Sequence, residues 1–140
     1  MIRAVFDASV VVSGCGWGGD SYTCLVAVAR RRVRSFATDA IIAEWRETIV
    51  ELEIRGTKFR RDPRATLEWL IDVSHRVAPA ASGKQRSRDA KDDPYPACAL
   101  AARAEFVITR DFDLLDLGKP FGVETITPRA FLSRLRSSLI

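Results

Sequence analysis

Short apolar runs rich in Val, Ile and Phe, set between stretches of helical period, limit this chain to few folds. Ile2–Phe6, Val33–Thr38, Phe106–Thr109 and Val123–Ile126 are such runs. They read as strands covered on both faces, the pattern of a parallel sheet. The intervening segments carry helix signals. Asp20 or Ser21 caps a helix to about Arg31, with Cys24, Leu25, Val28 and Ala29 as its apolar stripe. Asp39 opens a second, with Ile41, Ile42, Trp45, Ile49 and Leu52 on one side, and Gly56 marks its end or a break. Asp62-Pro63 is a cap followed by proline at the first helical position, after which Leu67, Leu70, Ile71 and, less well placed, Val73 and Val77 face inward. Pro94 begins a helix of small residues over Ala97–Ala104, and Thr127-Pro128 starts one that reaches about Ser138. Glycine-rich Ser13–Gly19 and the segment Pro79–Lys91 read as loops, and Phe112 to Leu117 as a turn. The order β-α-β-α-α-α-β-α-β-α predicts an α/β fold, a three-layer α/β/α sandwich with a central parallel sheet. No internal repeat or linker interrupts it, so residues 1–140 are expected to be a single domain.

Composition closes off several classes. No apolar run approaches the roughly 20 residues of a membrane span, and the N-terminus is not a secretory signal, so a cytoplasmic protein is expected. Cys15, Cys24 and Cys98 form no close pair, and His75, the only histidine, is remote in sequence. A zinc site is therefore not expected, and buried thiols are. His75 reads as a structural residue within a helix. The net charge is only +4, but 18 of the 22 basic residues are arginine and they cluster at 30–34, 55–64, 84–91 and 129–136. The arginine fork suits phosphate, although an arginine-rich solvated surface would look the same.

Against this basic surface stands a set of acids. Asp7 and Asp111 follow the first and third predicted strands, and in parallel sheets the ligand crevice lies beyond the carboxyl ends of the strands. Each alone could simply cap a helix or make a turn. Glu44 lies one turn inside its helix beside Ile41 and Trp45, at the rim of the core. Glu47 and Glu51, on the same ridge, read as a solvated face. Asp89, Asp92 and Asp93 precede a helix, where the dipole and capping explain one carboxylate but not three. Carboxylates gathered in one crevice repel, so one protonates or a cation binds. Oxygen ligands without His or Cys select Mg2+ or Mn2+. The joint reading is a metal-dependent enzyme that hydrolyses a phosphodiester.

These residues also resemble a known family. Val5-Phe6-Asp7-Ala8-Ser9-Val10-Val11-Val12-Ser13 is similar to the opening signature of PIN-domain proteins: a hydrophobic strand, Asp, a small residue, then Asn or Ser. Arg88-Asp89-Ala90-Lys91-Asp92-Asp93-Pro94, followed by Ala104-Glu105-Phe106-Val107-Ile108-Thr109-Arg110-Asp111-Phe112-Asp113-Leu114-Leu115, resembles the family's C-terminal signature. The resemblance implies a Mg2+- or Mn2+-dependent endoribonuclease acting on single-stranded RNA, like the toxin components of bacterial toxin–antitoxin pairs. Asp7, Glu44, Asp92 or Asp93, and Asp111 would be its metal-binding acids, with Ser9 and Thr109 as polar supports and Arg110 and Arg88 as RNA contacts. One helical step turns a side chain by about 100°, so one of Asp92 and Asp93 would face the metal, and Asp92 is preferred. An antitoxin partner and a homodimer follow from the resemblance alone. Pro96 and Arg103 stand where many relatives have a larger apolar residue and glycine; they bear on packing more than on chemistry.

Two other readings compete. A PIN-like module could bind RNA or a protein partner without cutting. A phosphoacceptor receiver domain is also α/β, but it needs paired acids after the first strand and a late lysine. Asp7 has no acidic partner beside it, and Lys119 is the one late lysine.

Overall fold

The computed structural model describes residues 1–80, 94–119 and 122–137. They form five strands and seven helices. The strands are β1 (Ile2–Phe6), β2 (Val33–Ala37), β3 (His75–Arg76), β4 (Phe106–Ile108) and β5 (Glu124–Ile126). The helices are α1 (Ala8–Gly16), α2 (Gly19–Ala29), α3 (Asp39–Ile54), α4 (Pro63–Val73), α5 (Pro94–Ala102), α6 (Phe112–Leu115) and α7 (Pro128–Ser137). All strand pairings are parallel, in the order β3-β2-β1-β4-β5. Helices cover the sheet in the expected three-layer α/β/α arrangement: α5 packs on β1, β2 and β4, while α2 packs on β2, α1 and α7.

The local chemistry explains most boundaries. Asp7, Thr38, Asp62 and Asp111 each sit in extended backbone and accept a main-chain N–H with their side chains, the N-cap role for α1, α3, α4 and α6. The stripe of α3 is as predicted: Ile41, Ile42, Trp45 and Ile49 are buried and Leu52 half-buried. Each buried large apolar side chain contributes about 1.5–3 kcal/mol. The Trp45 Nε1–H donates to the Phe6 carbonyl at 3.2 Å, fastening α3 to the end of β1. Gly56, with φ of +75°, lies just beyond α3 in the left-handed conformation that stops a helix. Arg103 adopts φ of +53° just after α5, so this departure from the family pattern falls where glycine is the unstrained residue.

Four expectations are corrected. His75 is on β3, exposed, not within a helix; its ring lies 5.3 Å from that of Phe36. Val73 ends α4 half exposed rather than facing inward, whereas Val77 does pack on the core. Ser13–Gly16 are the last turns of α1, so the loop shrinks to Trp17 and Gly18. Ala27, not Ala29, completes the buried stripe of α2. No helix among the described residues is long and apolar enough to cross a membrane.

Candidate active site

The register of the sheet builds this site. Phe6 pairs with Ile108 across β1 and β4, so the next residues, Asp7 and Thr109, emerge side by side at the carboxyl edge. The Asp7 N–H donates to the Ile108 carbonyl at 3.1 Å, and the Thr109 N–H to the Ile126 carbonyl at 2.9 Å, so both are held by the neighbouring strand. To one side of β1 lie β2 and β3, to the other β4 and β5. Asp7 and Thr109 therefore stand where the strand order diverges, the usual ligand position in such sheets.

Asp7 is buried, with 4 % of its surface exposed. Its Oδ1 accepts from the Ser9 hydroxyl at 2.6 Å and from the Val10 N–H at 3.2 Å. Its Oδ2 accepts from the Thr109 hydroxyl at 2.5 Å. The two hydroxyls extend the network: Ser9 Oγ accepts the Arg110 N–H at 3.1 Å, and Thr109 Oγ1 accepts the Asp111 N–H at 2.9 Å. Asp111 in turn accepts the Asp113 N–H at 2.9 Å. Burial is the dominant influence on Asp7 and pushes its pKa up to about 6, with the charge of Asp111 adding to the rise. The three hydrogen bonds from Ser9, Thr109 and Val10 act the other way, because they favour the charged form. Asp7 is thus a costly carboxylate with a like charge beside it and no ion pair to a described residue.

Glu44 joins through an intermediary absent from the sequence reading. Tyr95 on α5 is buried; its hydroxyl accepts the Ala8 N–H at 3.2 Å and is hydrogen-bonded to the Glu44 carboxylate. Burial, then the charges of Glu44 and Asp7, hold the Tyr95 hydroxyl far above the ordinary tyrosine range. It stays neutral and can donate to Glu44. A buried tyrosine must satisfy its hydroxyl, which is the signal the sequence offers. Its partners are not readable there, since Glu44 and Ala8 are far away along the chain. Ser13 was also missed: its Oγ accepts from the Arg110 guanidinium at 2.7 Å. Glu47 and Glu51 are exposed, as expected of a solvated face. Arg88, Asp89, Asp92 and Asp93 lie outside the described residues.

The donor set is all oxygen, which suits a hard divalent cation. A carboxylate oxygen has two acceptor positions. One remains on Asp7 Oδ2, and Asp111 Oδ2 accepts no hydrogen bond from a described residue. The residues fit such an ion in kind. In number they do not complete its shell: among the described residues no three ligating side chains are gathered closely enough to hold a metal. The thiols play no part here. Cys15, Cys24 and Cys98 are buried and unpaired, and burial pushes each up to about 12.

A five-stranded parallel sheet between helices, with carboxylates at the ends of its central strands, defines an α/β protein of three layers. The profile of the PIN domain matches residues 3–113, and the chain belongs to the PIN domain family. Members of that family are generally nuclease-like and typically use divalent metal ions. The fold is similar to the crystal structure of PAE2754 from Pyrobaculum aerophilum, with a TM-score of 0.67 and 17% sequence identity over 97% of this chain and 90% of that one. No curated protein matches the sequence.

Proposed function

We propose that this protein is a metal-dependent endoribonuclease that hydrolyses single-stranded RNA, with Mg2+ or Mn2+ as its cofactor. The observation that carries this reading is Asp7: a buried carboxylate, raised to about 6, held by two hydroxyls against Asp111 at the strand ends. Asp7, Glu44, Asp111 and one of Asp92 and Asp93 are the proposed metal ligands, with Asp92 preferred. A bound ion of this class lowers the pKa of water and stabilises charge on a phosphodiester.

The chain's own residues prepare for that. Ser9 and Thr109 fix both oxygens of Asp7, and their bonds to the N–H groups of Arg110 and Asp111 set the turn carrying Asp111. Such supporting bonds orient ligands and tune their basicity. Tyr95 holds Glu44 toward the same edge. Arg110 and Arg88 are the proposed RNA contacts. Within this reading the protein is a cytoplasmic toxin of a toxin–antitoxin pair, a homodimer with an antitoxin partner, as its resemblance to such toxins implies.

The test is incubation of the purified protein with single-stranded RNA and Mg2+ or Mn2+ beside Asp7→Asn. Wild type should cut. The variant should be slower by more than about 100-fold, since losing a metal ligand removes several kcal/mol of charge stabilisation. Equal cleavage by both proteins, or none by either across metals and RNAs, refutes the reading. The second outcome would leave a module that binds without cutting.

A further inference from the structure

Phe112 is the most exposed aromatic ring among the described residues, at 78 %. It is the first residue of α6, directly after Asp111, and the fold does not use it: Leu114 is the buried anchor of that turn. The phenyl ring thus stands unpacked, with Asp111 and Asp113 as its chain neighbours.

The ring borders a cleft of about 390 Å3, also lined by Arg110, Arg129 and the first turn of α2 at Gly18 and Gly19. That volume falls in the range of small-ligand sites. The Arg110 guanidinium is steadied by Ser13 Oγ at 2.7 Å, which leaves its remaining N–H groups available. Arg129 makes no hydrogen bond or ion pair with a described residue. Asp20 is the one carboxylate among the described residues of the cleft wall. The first turn of α2 has no side-chain cap, so its N–H groups add a weak preference for anions. An aromatic face sharing a cleft with two arginines that have no ion pair to a described residue matches a nucleotide: the base has a face to stack, and the phosphates on either side need cations. In a duplex that face is covered by its neighbours, so such a platform selects unpaired nucleotides.

We propose that Phe112 is a stacking platform for an unpaired base of RNA, with Arg110 and Arg129 gripping the phosphates on either side. The nucleotide would lie beside the phosphate presented to Asp7 and Asp111. That placement rests on the ribonuclease reading above. The binding claim stands apart from it, because stacking needs neither metal nor turnover.

The experiment is fluorescence anisotropy of a short 5′-fluorescein single-stranded RNA in EDTA, with wild type, Phe112→Ala, Phe112→Trp and Arg129→Ala. A hairpin closed by a non-nucleotide linker, and so without unpaired bases, serves as competitor, and Asp7→Asn with Mn2+ is assayed for cleavage in parallel. Phe112→Ala should weaken single-strand binding by roughly 5- to 100-fold, and Phe112→Trp should restore it. Arg129→Ala should weaken binding and reduce the salt slope by about one. The hairpin should compete poorly. Wild-type affinity in Phe112→Ala, equal losses in Phe112→Trp and Phe112→Ala, or a hairpin that competes as well as the single strand would each overturn the proposal. If Asp7→Asn loses cleavage but Phe112→Ala binds normally, this inference fails and the ribonuclease reading stands. If Phe112→Ala binds weakly although no RNA is ever cut, the inference stands and that reading fails.

Discussion

Replacing Asp7 by asparagine should stabilise the fold while removing the proposed activity. Burial raises the Asp7 pKa from 3.8 to about 6, so the folded state prefers the protonated carboxyl. Its contribution to stability is complete below pH 3.8 and is lost as pH rises through about 6. That interval corresponds to about 3 kcal/mol at pH 8. Asparagine has no charge to desolvate and is as good an N-cap as aspartate. Its Oδ1 can keep the bonds from Ser9 Oγ and the Val10 N–H, and its Nδ2 can donate to Thr109 Oγ1, whose hydrogen is then displaced. Allowing for that imperfect pairing, the variant should be more stable than wild type by about 1–3 kcal/mol at pH 8 in EDTA. For a domain of this size, that raises Tm by roughly 3–10 °C. At pH 4 the advantage should disappear. Mn2+ at about 100 times its Kd should return about 2.7 kcal/mol to the wild type and little to the variant. Urea or thermal unfolding across pH 4–8, with and without Mn2+, measures all of this. An Asp7→Asn protein less stable than wild type at pH 8 in EDTA would refute the reasoning, as would a difference unchanged between pH 4 and pH 8.

The neighbouring side chains give further expectations. Thr109→Val keeps the shape but leaves Asp7 Oδ2 and the Asp111 N–H without a partner, so it should destabilise by about 1–3 kcal/mol and slow RNA cleavage by about 10- to 100-fold; urea unfolding and a cleavage time course check the two parts. Tyr95→Phe removes the link between the Ala8 N–H and Glu44. It should cost about 1–3 kcal/mol and weaken Mn2+ binding by calorimetry, whereas unchanged Mn2+ affinity would show that Glu44 needs no such support. Gly16→Ala places a methyl group against the Phe59 ring where the loop after α3 packs on α1, and chemical unfolding should show a loss of about 1–3 kcal/mol.

The strand-end acids were legible because strands and turns are local signals: Phe6-Asp7 and Thr109-Arg110-Asp111 each show where a strand stops. The α3 stripe was legible for the same reason, its period being unbroken from Ile41 to Leu52. The missed elements are those decided by distant contacts. β3 has two residues and no strand period of its own; it exists because His75 and Arg76 meet Phe36 and Ala37 on β2. α1 was hidden by Val10-Val11-Val12 and by Gly14 and Gly16, residues with poor helix propensity. The Asp7 cap and the packing of α1 on α2, α3 and α4 override that propensity. Tyr95 and Ser13 were overlooked as site residues because each acts through a partner many residues away. Phe112 was read with its leucine neighbours as part of an apolar turn, and only its exposure separates it from Leu114.

Asp111 is a proposed metal ligand whose replacement leaves Asp7 and its hydroxyl partners in place. The most direct measurement is the single-turnover rate of RNA cleavage as a function of Mn2+ concentration, for wild type and Asp111→Asn. The wild-type rate should rise from zero in EDTA to a plateau. In Asp111→Asn, half-saturation should move to Mn2+ concentrations at least about 10-fold higher, with a lower plateau. Cleavage that persists in EDTA, or a Mn2+ dependence identical in the two proteins, would contradict the account.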